Sequence, residues 1–180
     1  MISAVCTKNS HLCWQLASAV APKKQQPNMV YSIKYDGIRV EINNGILLSR
    51  KGFRLPGNLL PKWARKCPHI LDGELIMKAN SSHTKVIKSL HRCDYKAMTL
   101  KIFDVKIPDI PFSDRLEILE ECVPKSNRVL QIPFEDDTEI LDAMEECVQL
   151  DYEGLIIRSL AGMYQCGRQS NKNCYKLKVK

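Results

Sequence analysis

The stretch YSIKYDGIRVEI, residues 31–42, sets Lys34, Asp36 and Arg39 around Gly37 inside a run that otherwise alternates like a strand. Glycine weakens a strand interior, so here it marks a turn, a bulge, or a point where a ligand or another backbone comes close. The run divides around it. Residues 29–34 form one predicted strand, and residues 39–42, in period two, form another. Asn43, Asn44 and Gly45 follow with the Asn-Gly signature of a tight hairpin, so residues 46–50 are predicted to return antiparallel beside Val40 and Ile42.

Working outward, ILDGELIM (70–77), TLKIFDV (99–105), VLQIPF (129–134), GLIIRS (154–159) and YKLKVK (175–180) read as further strands. A short helix is predicted near residues 59–65 and a helical turn or two over 85–92. Ser113 is the expected N-cap of a helix reaching Cys122, and Thr138 or Asp137 caps another, whose Ile140, Leu141, Met144, Cys147 and Val148 recur at helical spacing. The first residues read as a short helix from about Ser10, with Leu12 and Leu16 on one face, followed by the polar connector APKKQQPN. Hairpin-like runs of strands with helices between them predict an α+β class of antiparallel sheets with flanking helices, not a doubly wound parallel sheet. The expected division is an N-terminal helical segment over 1–21 and one compact domain over 22–180.

With 180 residues the chain can bury a full core without staples. No apolar run approaches the roughly 18 to 20 residues that cross a bilayer, so no membrane role is expected. Eight cysteines without a CxxC pair or a secretory leader read as reduced thiols of a cytoplasmic or nuclear protein. The formal net charge is +7, and the basic residues cluster: residues 49–66 hold Arg50, Lys51, Arg54, Lys62, Arg65 and Lys66 with no acidic residue. Such a block suits a polyanion, whose condensed counterions are released on neutralisation, although a solvated basic face has the same composition.

Charged residues inside apolar strands are costly to bury unless they meet opposite charges, a metal or a charged ligand. Lys34, Asp36, Arg39, Asp72, Glu74, Asp104, Glu153, Arg158, Lys176 and Lys178 are of this kind, so several are expected to converge. In the last strand, period two sends Tyr175, Leu177 and Val179 to one face and Lys176, Lys178 and Lys180 to the other. Ammonium groups about 7 Å apart on a rigid base suit a phosphate, and an edge strand guarded by lysines looks the same.

KYDGIR (34–39), SRKG (49–52), DGELI (72–76), KIFDV (101–105), EGLIIR (153–158) and YKLKVK (175–180) resemble, in type and order, the motifs of the nucleotidyltransferase (adenylation) domain of ATP-dependent DNA ligases, most nearly the small virus-type enzymes. MYQCGRQS (163–170) is similar to a segment that precedes the last lysine motif in such enzymes. The resemblance implies an ATP-grasp-like nucleotidyltransferase fold in which Lys34 attacks the α-phosphate of ATP and becomes lysine-AMP. Lys176 and Lys178 would lower the pKa of Lys34 and neutralise phosphate charge. It further implies that Glu153, assisted by Asp36, binds Mg²⁺ or Mn²⁺, that Glu74 and Arg50 contact the ribose, that Phe103 stacks on adenine, and that Arg39 lies near sugar and phosphate. Arg50, Lys51, Arg54, Lys62, Arg65 and Arg168 are the implied contacts to nicked double-stranded DNA. Asp72, Asp104 and Arg158 are expected to be structural, and Gly37 to let the nucleotide approach.

Members of this family normally continue after the final lysine motif into an OB-fold, a small barrel that binds nucleic acid. Nick sealing is therefore expected to draw on an OB-fold from a longer chain or supplied in trans. The alternatives are an RNA ligase, a capping guanylyltransferase, or a non-catalytic nucleic-acid-binding relative.

Overall fold

The run at residues 31–42 is a crossing between two sheets. The computed structural model describes residues 14–19, 21, 27–79 and 81–179. Its strands are β1 (Gln15–Leu16), β2 (Met29–Lys34), β3 (Ile38–Asn43), β4 (Ile46–Ser49), β5 (Leu71–Met77), β6 (Met98–Val105), β7 (Ile132–Pro133), β8 (Gly154–Ser159), β9 (Gly167–Arg168) and β10 (Cys174–Lys178). The helices are α1 (Lys62–Arg65), α2 (His83–His91), α3 (Phe112–Cys122) and α4 (Asp137–Gln149). One four-stranded antiparallel sheet has the order β10-β8-β2-β7 and the other β4-β3-β5-β6, while β1 and β9 pair in parallel. The α+β expectation holds.

Period two explains why two sheets make one cleft. In the first sheet Tyr31, Ile33, Leu155, Ile157, Tyr175 and Leu177 pack against Ile140, Ala143 and Cys147 of α4. In the second, Val40, Ile42, Leu71, Leu75, Leu100 and Ile102 form a core with Val86 of α2 and Leu119 of α3. The alternate side chains of both sheets point away from these cores and line a shared cleft. At the β3–β4 hairpin Asn44 (φ 47°) and Gly45 (φ 72°) adopt the two left-handed conformations of the expected Asn-Gly turn.

Gly37 is a corrected reading. A Cβ there would lie 2.3 Å from the carbonyl oxygen of Leu75 and 2.9 Å from Ile76 Cγ2. What comes close is the backbone of β5, and no nucleotide is needed to explain the glycine.

The N-terminal helix is also corrected where it can be seen. Gln15–Leu16 is a strand, and the segment continues in extended form: Ser18 N–H donates to Cys174 O at 2.8 Å and Lys176 N–H to Ser18 O at 3.0 Å. Pairing with two strand edges outweighs the local helical pattern. The rest of that expected helix, and Lys180, lie outside the described residues.

Helix starts are shifted. Pro111, not Ser113, is the N-cap of α3, and the Ser113 hydroxyl bonds to Asp114 Oδ1 at 2.8 Å. Asp136 caps α4, its carboxylate accepting from the N–H groups of Thr138 and Glu139 at 2.8 and 3.2 Å. The strand expected over 129–134 shrinks to β7, because Pro133 has no N–H to extend the ladder and is tolerated only at an edge. Cys67, Cys93, Cys122, Cys147 and Cys174 are free thiols, whereas Cys166 is disulfide-bonded, contrary to the expectation of reduced thiols throughout.

Candidate functional site

Three strands of the first sheet build the charged end of the cleft. Lys34 at the end of β2 stands opposite Gly154 of β8, which stands opposite Lys178 of β10. The central position admits no side chain: Gly154 has φ +139°, and a Cβ would lie 2.1 Å from Leu177 O. Both lysines lean over this gap to Glu153, Lys34 Nζ donating to Oε2 and Lys178 Nζ to Oε1 at 2.5 Å. Burial works to raise the Glu153 pKa, but hydrogen bonds and charge from Lys178 and Lys34 outweigh it and hold the carboxyl below its usual range. Lys176 lies one row away, opposite Ile156 and Ser32. Burial, then the charges of Lys178, Lys34 and Arg168, push its pKa down despite Glu153.

The second sheet supplies the other wall. Arg39, Glu74 and Lys101 occupy one cross-strand row. The β5–β6 register shifts at Asp72 and Gly73, whose partners are Asp104 and Ile102, so Phe103 is the extra residue of a bulge. That bulge turns Phe103 into the cleft. Arg39 grips Asp72 with two hydrogen bonds of 2.7 and 2.6 Å, donates to Gln15 O at 3.0 Å, and stacks 4.7 Å from the Phe103 ring centre. Tyr164 completes the support, its hydroxyl donating to Asp72 Oδ2 at 2.8 Å. Burial pushes the Glu74 carboxyl up to about 8, with Arg39 and Lys34 pulling it back and Asp72 and Glu153 adding to the rise.

Behind the cleft, Asp104 is buried between two guanidinium groups, with Arg115 Nε at 2.8 Å from Oδ1 and Arg158 Nη1 at 3.0 Å from Oδ2. Arg115 also donates to Ile110 O and Gly162 O at 2.8 and 3.0 Å. A fully buried charge pair of this kind holds when its remaining donors are satisfied, and here most are.

Lys34, Arg39, Glu74 and Phe103 therefore share the cleft, with Glu153, Lys176 and Lys178 at its charged end. Asp36 lines an adjoining groove with Glu153, Tyr35 and Tyr152. Among the described residues no three His, Cys, Asp or Glu side chains converge as a ready-made metal cage. One or two carboxylates facing a phosphate site still suit Mg²⁺, which takes its other ligands from phosphate oxygens and water. Arg50 does not line the cleft; it is exposed on the turn after β4, its N–H donating to Arg39 O at 3.1 Å. Lys51, Arg54, Lys62 and Arg65 are likewise exposed beyond that turn, and exposed Arg168 donates to Ala17 O at 3.1 Å.

Among the cleft residues that sequence reasoning missed are Gln15, Ala17, Ser32 and Ile156. Ser32 and Ile156 were legible, since period two puts them on the face of Lys34 and Lys176. Gln15 and Ala17 were hidden by the helical reading of their segment.

Comparison with known proteins gives the same picture. A family model described as ATP dependent DNA ligase domain matches residues 11–178. A DNA ligase of Haemophilus influenzae is 28% identical over 150 residues, which are 78% of this chain and 55% of that protein. The chain thus spans about half the length of this curated relative. A Lig E DNA ligase structure, described as DNA binding with a minimal scaffold, superimposes with a TM-score of 0.76 at 19% identity over 93% of this chain and 69% of that one. Chlorella virus DNA ligase-adenylate gives 0.69 at 17% identity over 93% and 68%, and the ligase domain of M. tuberculosis LigD gives 0.69 at 19% over 93% and 60%.

Proposed function

We propose, from the premise that this chain belongs to the family of ATP-dependent DNA ligase domains, that it forms a covalent lysine-AMP on Lys34 and passes the AMP to the 5′-phosphate of nicked DNA. The observation that carries this is the meeting of Lys34, Glu153 and Lys178 over Gly154, at the mouth of a cleft walled by Arg39, Glu74 and Phe103. In the first step Lys34 Nζ forms a bond to the α-phosphorus and the bond to the β-phosphate oxygen breaks, releasing pyrophosphate. Nζ must first part from Glu153 and give up a proton, since an ammonium has no lone pair to attack with. The ammonium groups of Lys176 and Lys178 neutralise charge growing on the phosphorus oxygens.

Phe103 is the proposed stacking surface for adenine, and Glu74 and Arg39 the groups facing ribose and phosphate. Glu153, with Asp36 on the same groove, would hold Mg²⁺ or Mn²⁺, which when bound supplies further charge neutralisation for the phosphates. Arg50, Lys51, Arg54, Lys62, Arg65 and Arg168 are the proposed contacts to the duplex. Sealing, as distinct from adenylation, is proposed to use an OB-fold belonging to a longer chain or a partner. The proposed compartment is intracellular, cytoplasmic or nuclear.

The test is incubation with α-labelled ATP and, in parallel, α-labelled GTP, followed by mass spectrometry. The expected outcome is one AMP mass on Lys34, absent from Lys34→Ala. Labelling by GTP alone, or labelling of Lys34→Ala, would overturn the reading.

A further inference from the structure

Phe53 is 43% exposed, a large apolar ring in the turn that follows β4. A single exposed apolar residue is ordinary on any surface, but the setting of this one is not. Its neighbours Arg50, Lys51 and Arg54 are exposed with it, so the ring stands among cations. The turn that carries it is rigid. Phe53 N–H donates to Ser49 Oγ at 3.1 Å, Ser49 N–H donates to Phe53 O at 2.8 Å, and Gly52 N–H donates to Ser49 O at 2.8 Å. Gly52 closes the turn in the left-handed region, at φ 81°. Beyond the ring, Leu55 N–H returns to Leu47 O at 2.8 Å, so both ends of the turn are tied to β4.

The turn also lies at the rim of the cleft. Val40 stands opposite Ser49, and Arg50 N–H donates to Arg39 O at 3.1 Å. The chain carrying Phe53 therefore leaves β4 beside the end of β3 that follows Lys34 and Gly37, and Arg39 lines the cleft. Surfaces that hold nucleic acid combine cations, which meet phosphates, with rings, which meet bases.

We propose that Phe53 is a wedge that enters the duplex at the break and makes the protein prefer nicked over intact DNA. This rests on the DNA reading given above. A side chain that enters between base pairs must unstack them, and in an intact duplex two continuous backbones resist the opening. At a nick one backbone is interrupted, so the step opens at lower cost, and the ring replaces part of the stacking that the bases lose. Arg50, Lys51 and Arg54 meet phosphates that intact and nicked duplexes share, so they supply affinity without this discrimination. The rigid turn presents the ring with little left to order on binding.

The test is equilibrium binding of the 180-residue chain to a duplex with one central 5′-phosphorylated nick and to the same duplex intact, without divalent metal and across a salt series. The unaltered protein should bind the nicked duplex more tightly. Phe53→Ala should weaken that binding by about 5- to 100-fold and leave the intact duplex unaffected, with the slope of log affinity against log salt unchanged because no cation is lost. Phe53→Trp, which keeps a ring, should retain the preference for the nick. Urea denaturation of both variants should match wild type, since the ring is exposed; if Phe53→Ala is destabilised, Phe53→Trp decides, and its loss of preference overturns the wedge. Wild-type affinity of Phe53→Ala for the nick, or an equal weakening on both duplexes, also overturns it. A shallower salt slope in Phe53→Ala would assign the loss to the cations instead. Equal binding of nicked and intact duplex by the unaltered protein removes the wedge and leaves the DNA reading standing, whereas binding of neither removes both.

Discussion

Lys34 and Lys178 hold opposite oxygens of one carboxylate, Glu153, across a strand position that only glycine can occupy. Residues 119 apart in sequence for Lys34 and Glu153 are thus brought to one point by the pairing of β2, β8 and β10. Because Glu153 is held below its usual pKa, it contributes stability that is present above about 4.5, its ordinary value, and is lost as pH falls through the folded value. Denaturation curves of wild type and Glu153→Gln should converge on acidification. Glu153→Gln should also cut AMP labelling of Lys34 by roughly 100-fold; unchanged labelling would remove Glu153 from the chemistry.

Glu74 has the opposite sign. Burial raises its carboxyl to about 8 from 4.5, so the folded state favours the protonated form. No penalty applies below the unfolded value; it grows between the two and is complete above about 8. Stability measured by denaturant should fall between mildly acidic and mildly alkaline pH, and Glu74→Gln should flatten that fall. A curve that stays as steep in Glu74→Gln would assign the titration elsewhere.

Gly37 separates a structural from a ligand-dependent requirement. Gly37→Ala places a Cβ against the Leu75 carbonyl, so the ligand-free protein should lose about 2–3 kcal/mol of stability by urea denaturation. If Gly37→Ala kept wild-type stability and lost only nucleotide binding, the approach of a nucleotide, not of β5, would be the reason for the glycine.

Arg115 is fully buried and answers to Asp104 and to two carbonyl groups. Arg115→Met removes this donor from the carbonyl groups of Ile110 and Gly162 and leaves the buried Asp104 carboxylate to Arg158 and the Val105 N–H, and should cost roughly 3–5 kcal/mol. A loss under about 1 kcal/mol would mean that Arg158 alone suffices to neutralise Asp104.

The exposed basic block is testable by salt. Binding to nicked duplex should weaken linearly in log affinity against log salt. Neutralising Arg54, Lys62 and Arg65 together should make that slope shallower, by about one for each phosphate that no longer meets a cation. An unaltered slope would return these residues to a merely solvated face.

Local physics determined much of this protein before any tertiary contact was known. Alternation in residues 39–42 and 175–180 identified those strands and sorted Lys176 and Lys178 from Tyr175 and Leu177, which pack with α4, because a side-chain period of two assigns faces without knowledge of the partner. Asn44 and Gly45 announced their turn, since few residues accept positive φ. The ordered motifs led to the right family.

What only the tertiary structure decided is where segments without a strong period belong and what stands opposite each charge. Residues 14–18 look helical locally, yet they lie along β9 and β10 and bring Gln15 into the cleft, because strand edges with open hydrogen-bonding groups outweigh a weak propensity. The meaning of Gly37 depended on a carbonyl 38 residues away, the Phe103 orientation on a bulge set by β5, and the support of Arg39 on Asp72 and Tyr164. Such long-range juxtapositions follow from sheet order and register, which a chain specifies only through the packing of its whole core.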